Sequence, residues 1–167
     1  MTAVSPPAGP KAGGTVVTIT GTGFVNGATV SFGGAAATNV TVAGNGTTIT
    51  ATSPSGTTKV NVTVSTPGGT SSTSTADQFT YDAVPAVSKL SVTTGPQAGG
   101  TAVTITGTGF VAGSTTVLFG AVPATIVTLS ATSIKVTSPP GTGVVDVTVT
   151  TPGGTSAGVP GDRFTYV

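Results

Sequence analysis

The sequence predicts an all-β protein made of two copies of one small sandwich domain, arranged head to tail along the chain. Three observations carry this reading. Apolar and polar residues alternate with a period of two rather than 3.6, as in "KVNVTVST" at 59–66. Gly and Pro, 26 and 12 of the 167 residues, punctuate the chain into short runs that suit strands and turns. Finally, "GGTVVTITGTGF" at 13–24 returns as "GGTAVTITGTGF" at 99–110, the first of several motifs that occur twice in the same order.

Each element follows from its residues. Val17 and Ile19 alternate with Thr18 and Thr20, which predicts a half-buried strand, and Val103 and Ile105 repeat it. Val60, Val62 and Val64 share one face, with Asn61 and Thr63 opposite; Val145, Val147 and Val149 face Asp146 and Thr148 in the same way. The "TPGGT" at 66–70 and 151–155 predicts a hairpin, with proline first in the turn and glycine supplying positive φ. "DQFTY" at 77–81 and "DRFTY" at 162–166 close the two copies. The chain is rich in Thr and Val, and its only leucines are Leu90, Leu118 and Leu129, which favours strands over helices. Short strands between Gly/Pro turns, about seven per unit, predict an immunoglobulin-like sandwich.

The spacing between copies is well beyond the roughly 20–50 residues of a solenoid repeat, so each copy is a complete domain. The expected domains are residues 1–82 and 83–167. The joint, "YDAVPAV" at 81–87, is too short for a flexible tether, and Pro85 stiffens it.

Composition excludes several functions. Only 5% of residues are charged and the net charge is +1, so five cationic side chains give no footprint for nucleic acid or an anionic membrane. No apolar run approaches the roughly 18 residues of a membrane span, so no insertion is expected. The opening "MTAVSPPAGPKAGG" lacks the basic and apolar regions of a signal peptide, leaving a mature fragment or another export route. With no Cys, His or Glu, neither a thiolate metal site nor a Ser-His-Asp or Cys-His arrangement can be assembled. The expectation is a non-enzymatic protein with no cofactor and no metal.

Taken together, "GP.AGGT.VTITGTGF", "V.FG", "S.P.GT", "V.VTV.TPGGTS" and "D.FTY", each present twice, resemble the IPT/TIG domain. This is the immunoglobulin-like module of plexins, some transcription factors and many bacterial extracellular proteins. The resemblance spans nearly the whole chain and implies two immunoglobulin-like sandwiches. It implies less about function, because such domains serve adhesion, DNA binding and spacing alike. One departure stands out: the second copy enters through "PAVSKLSV" at 85–92, whereas the first has only "MTAVSP" ahead of its Gly-Pro, a shortened opening strand.

"GTGFVA" at 107–112 satisfies G-x-G-x-x-G/A, but no helix pattern follows to receive a phosphate, so Gly21, Gly23, Gly107 and Gly109 are read as turning a sandwich corner. Each ring of one copy, Phe24, Phe32, Phe79 and Tyr81, has its partner in Phe110, Phe119, Phe164 and Tyr166, which points to core rather than ligand platforms. Carbohydrate stacking on Tyr81 or Tyr166 makes a carbohydrate-binding module the alternative reading. Asp77 and Asp162 are expected to cap turns, and Asp82 alone is too little for calcium. The T-x-T pairs Thr18/Thr20 and Thr104/Thr106 are read as solvated strand faces.

The copies differ most at "NVTVAGNGTT", 39–48, and "SSTSTAD", 71–77, so Asn39, Asn45, Thr47, Ser72 and Thr73 are the candidate partner-binding loop residues. The expected partners are other protein domains or neighbouring subunits, with surface glycans as the alternative. The expected role is a structural or adhesive module outside the cytoplasm. Two settings fit: a spacer in a bacterial surface or secreted protein, or a virion surface protein such as a capsid decoration or tail component.

Overall fold

The computed structural model describes all residues, Met1–Val167. They divide into two compact units, Met1–Asp82 and Ala83–Val167. The first contains β1 (Ala3–Ser5), β2 (Ala8–Pro10), β3 (Val16–Thr20), β4 (Thr29–Phe32), β5 (Ala35–Ala36), β6 (Thr38–Val42), β7 (Thr48–Thr52), β8 (Lys59–Thr66), β9 (Gly69–Thr70) and β10 (Gln78–Asp82). The second contains β11 (Ala86–Leu90), β12 (Thr94–Gly95), β13 (Ala102–Thr108), β14 (Thr116–Phe119), β15 (Val122–Pro123), β16 (Thr125–Leu129), β17 (Ser133–Thr137), β18 (Gly143–Thr151), β19 (Gly154–Thr155) and β20 (Arg163–Tyr166). A single 3-10 turn, Thr75–Asp77 or Pro160–Asp162, precedes the last strand of each unit. The strands outnumber the expected seven because two- and three-residue edge segments such as β2, β5 and β9 pair as strands of their own.

Each unit is a sandwich of two sheets. In the first, the order is β1-β3-β7-β6 in one sheet and β2-β10-β8-β4-β5 in the other, with β9 on β8; the second repeats this with β11 to β20. The opening chain crosses between sheets: β1 runs antiparallel to β3, and after Pro6-Pro7 β2 runs parallel to β10 through Ala8↔Thr80 and Gly9↔Tyr81. Proline removes an N–H donor, so a Pro-Pro pair interrupts a ladder at the point where the strand must leave one sheet for the other.

The period-two pattern sets the core. Val17 and Ile19 are fully buried against Ile49 and Ala51 of the paired strand β7, while Thr18 and Thr20 face solvent. From the other sheet come Val30, Phe32, Val62, Val64, Phe79 and Tyr81. The rings stack edge to face: Phe32–Phe79 centroids lie 5.2 Å apart at 88°, and Phe79–Tyr81 5.0 Å apart at 74°. Phe119, Phe164 and Tyr166 repeat this column at 5.1 Å and 5.0 Å. The "TPGGT" hairpins form as expected, with the positive φ on the second glycine, +121° at Gly69 and +125° at Gly154.

Candidate functional site

The G-x-G corner is built for backbone geometry. Gly23 and Gly109 have φ of +73° and +76°, which β-branched or bulky residues rarely adopt. Gly21 and Gly107 lie under a ring: a Cβ there would stand 2.7 Å from the Phe24 ring tip and 2.6 Å from that of Phe110. The first glycine therefore lets the phenylalanine fold back over the corner, and the second turns the chain. A loop follows rather than a helix, so no helix N-terminus faces this turn.

All eight rings are buried, none more than 6% exposed. This corrects the idea of sugar stacking on Tyr81 or Tyr166, which are 4% and 5% exposed and present no face to a ligand. Burial pushes both phenols up from their ordinary range, so each keeps its proton. The two hydroxyls differ. Tyr166 Oη donates to the Pro139 carbonyl at 2.8 Å, whereas Tyr81 Oη is buried with no partner. Tyr166→Phe is therefore expected to cost the second unit about 1–2 kcal/mol, by removing the bond and stranding a buried carbonyl. Tyr81→Phe is expected to be neutral or stabilising in the first unit, because it deletes an unpaired polar atom. Urea unfolding of the two variants checks both signs.

The acids hold local structure. Both carboxylate oxygens of Asp77 accept from the Ser74 N–H at 2.9 Å, and Asp162 Oδ2 accepts from the Val159 N–H at 2.9 Å. Asp146 meets Arg163 across β18 and β20 at 3.5 Å, an exposed pair that contributes little. Asp82 has its carboxyl raised by burial, a shift that Lys11 partly offsets. A carboxyl raised in the folded state stabilises below its unfolded pKa and loses that contribution as pH rises through the folded one. Asp82→Asn is thus expected to unfold at an equal or higher midpoint than the parent at pH 7, the gap closing as pH falls through the carboxylate range; thermal melts across that range check it.

The expected partner loops fall in three places. Asn39 lies within strand β6, not in a loop: it has φ of +50° where the β6–β7 register shifts between Thr38 and Thr41, and its Nδ2 donates to Thr52 Oγ1 at 3.3 Å. Asn45 shapes the β6–β7 turn, its Oδ1 accepting from the Thr47 N–H at 3.1 Å, and it lines a cleft of about 340 Å³ beside Phe24 and Val25. Ser72 lines another cleft, of about 380 Å³, also beside Phe24. Thr73 is exposed and lines neither. The structure thus brings Asn45 and Ser72 to clefts that share Phe24 and leaves Asn39 apart.

Loop comparison misses the rest of the larger cleft: Met1, Thr22, Gly23, Thr66 and the β8–β9 hairpin. β1 has three residues where β11 has five, and Met1 is half-buried at the cleft, with its sulfur 3.7 Å from Ser71 Oγ.

One further surface carries a difference between copies. Across β6, β7 and β3 the first unit exposes Thr41, Thr50, Thr18 and Thr20 on one sheet face. In the second, Lys135 of β17 takes the place of Thr50, and Lys89 of β11 pairs with Thr106. The uncharged threonine face therefore belongs to the first unit only.

Comparison with known proteins identifies the fold. Two structures of the plexin A4 extracellular region are similar over 99% of this chain: domains 1 to 10, 25% identical with TM-score 0.63, and domains 1 to 8, 24% identical with TM-score 0.55. The chain spans only 15% and 18% of those molecules. SGBP-B from a complex xyloglucan utilization locus in Bacteroides uniformis is similar at 23% identity and TM-score 0.41, over 96% of this chain and 47% of that one. No curated protein matches the chain. The IPT/TIG domain matches residues 1–81 and again residues 85–166, and domains of this kind are typically non-catalytic. The chain belongs to the IPT/TIG family, as two immunoglobulin-like domains in tandem.

Proposed function

We propose that the chain is a non-enzymatic structural and adhesive module working outside the cytoplasm. It acts as a spacer in a bacterial surface or secreted protein, or as a virion surface protein of the capsid-decoration or tail type. The observation that carries this reading is that both copies commit the same chemical groups to the same fold. The rings fill the cores, Asp77 and Asp162 hold turns, and paired glycines make the corners. Exposed Thr, Ser and Gly remain, with few charges to respond to pH or salt.

The domains are residues 1–82 and 83–167, each folding around its own core. Partners are other protein domains or neighbouring subunits, met through Asn45, Thr47, Ser72 and Thr73 at the loops and Asn39 on β6. Immunogold labelling of thin sections of cells and particles from the source tests the location: label on outer surfaces supports the reading, and label confined to the cytoplasm overturns it. A glycan array run on the same protein separates the alternative, since saturable binding to one polysaccharide class would make this a carbohydrate-binding module.

A further inference from the structure

Two Asn-Gly pairs, Asn26-Gly27 and Asn45-Gly46, occur in the chain, both in the first unit; the second unit has no asparagine. Such a pair is chemically labile, because glycine has no Cβ to shield its backbone nitrogen from the asparagine side chain beside it. Attack by that nitrogen requires that it be free of other bonds and that the side chain can rotate toward it. The fold treats the two pairs differently.

Asn45-Gly46 is held in place. The Gly46 N–H is donated to the Ala43 carbonyl at 2.9 Å, and the Gly46 carbonyl accepts from the Phe24 N–H at 3.0 Å. Asn45 Oδ1 accepts from the Thr47 N–H at 3.1 Å, which fixes the side-chain amide. Gly46 also packs against the corner, where a Cβ would stand 2.9 Å from the Phe24 carbonyl oxygen. Asn26-Gly27 is free. Both residues are exposed in the turn before β4, which closes through the Ala28 N–H to the Val25 carbonyl at 3.0 Å. That bond spans the pair and leaves the Gly27 N–H unengaged, and the hydrogen-bonded asparagine side chains are those of Asn39 and Asn45. Gly27 has φ of +86°, and a Cβ on it would meet nothing within 4 Å. The second unit shows that the turn does not need the asparagine: Ala112-Gly113 makes it too, closed by the Ser114 N–H to the Val111 carbonyl at 3.2 Å. Ala112 and Gly113 are exposed as well, so openness at this turn is a property of both units.

We propose that Asn26 is a site of spontaneous deamidation in the folded protein, and that Asn45, with the same sequence signal, is protected by its turn. The Gly27 nitrogen gives up its proton to base and attacks Asn26 Cγ. The N–Cγ bond forms, the Cγ–Nδ2 bond breaks, and the side-chain nitrogen takes a proton from solvent and leaves as ammonia. The five-membered succinimide then adds water at one of its two carbonyls. It opens to aspartate, or to isoaspartate, in which the main chain runs through the former side chain. No electrons are gained or lost, and water is the only co-reactant. The product sets a carboxylate on the cleft of about 340 Å³ that Asn26 shares with Phe24, Val25 and Asn45, whose lining is otherwise uncharged. One event takes the formal net charge from +1 to 0, and a net charge near zero favours association. The modification changes the surface of the first unit and leaves the second as it was. It goes beyond the spacer reading and stands or falls separately from it.

The test incubates the intact 167-residue chain in mildly alkaline buffer, folded and, in parallel, unfolded in guanidinium chloride. Ion exchange follows the gain of negative charge, and a protein isoaspartyl methyltransferase with a labelled methyl donor reports isoaspartate. Fragmentation of the tryptic peptide 12–59, which holds both pairs, assigns the position. In the folded chain conversion is expected at Asn26, with Asn45 slower by about tenfold or more because its reaction waits on local opening of the turn. In the unfolded chain the two are expected to convert at similar rates. Asn26→Gln is expected to remove the fast product, and Asn26→Asp to co-elute with the aspartate form. A folded-state rate at Asn45 equal to or above that at Asn26 would overturn the proposal, as would an unreacted Asn26 in the folded chain while the unfolded chain converts. The same gap between the two sites in both states would place the difference in the neighbouring residues rather than in the fold, and would overturn it too.

Discussion

Phe79→Ala is expected to cost the first unit about 3–5 kcal/mol, the range for removing a fully buried aromatic ring. Phe79 has no exposed surface and stands between Phe32 and Tyr81, edge to face with both. Its removal loses two aromatic pairs, each worth about 0.5–1.5 kcal/mol, and leaves a void between sheets whose strands are fixed by their ladders. A small domain has about 5–15 kcal/mol of stability, so the variant's first unit is expected to be near or past its unfolding point at room temperature. Urea unfolding with limited proteolysis reads this directly: cleavage is expected within residues 1–82 and not beyond. Phe79→Leu refills part of the void and is expected to cost clearly less. Equal losses for the two would show that the aromatic pairs, rather than the cavity, dominate. Phe164→Ala is the matching experiment in the second unit, where Phe164 stands between Phe119 and Tyr166.

Asp77→Ala is expected to cost about 1.5–3 kcal/mol, as the loss of a buried, charge-assisted hydrogen bond. The side chain is 1% exposed and both its oxygens accept from the Ser74 N–H, while Ser74 Oγ accepts from the Ala76 N–H at 3.2 Å. Two side chains thus satisfy donors at the start of the short turn that aims β10 into its sheet. In the second unit Val159 stands in place of Ser74 and has no hydroxyl to offer. The reciprocal bond is missing, and Asp162 Oδ1 is buried without a partner. Asp162→Ala is therefore expected to cost less than Asp77→Ala, because it also relieves an unsatisfied oxygen. Urea midpoints of the two variants, each against its own unit's transition, decide the order; equal losses would mean that the unpaired Asp162 oxygen costs the second unit nothing.

Much of this was legible in the residues because it is local or periodic. The alternation of Val17, Ile19, Val62 and Val64 with Thr and Asn fixes which face of each strand is buried, since the strand period leaves one choice. The doubled motifs announce two units, and a ring present in both copies belongs to the fold. The candidate partner-binding residues were harder to place. Asn39 looked like a loop residue because polar, Thr-rich text reads alike in an edge strand and a loop, and only pairing with β7 shows it on β6.

The sequence by itself determined the all-β class, the tandem duplication, the family, the core faces and the corner role of the G-x-G glycines. Each rests on backbone preference or on period, which act over a few residues. Tertiary structure alone decided that Tyr166 has a hydrogen-bond partner while Tyr81 does not, and that the threonine face is uncharged in one unit only. These depend on which distant strands meet and on what fills the space between them, and contacts of that range carry no signature in neighbouring residues.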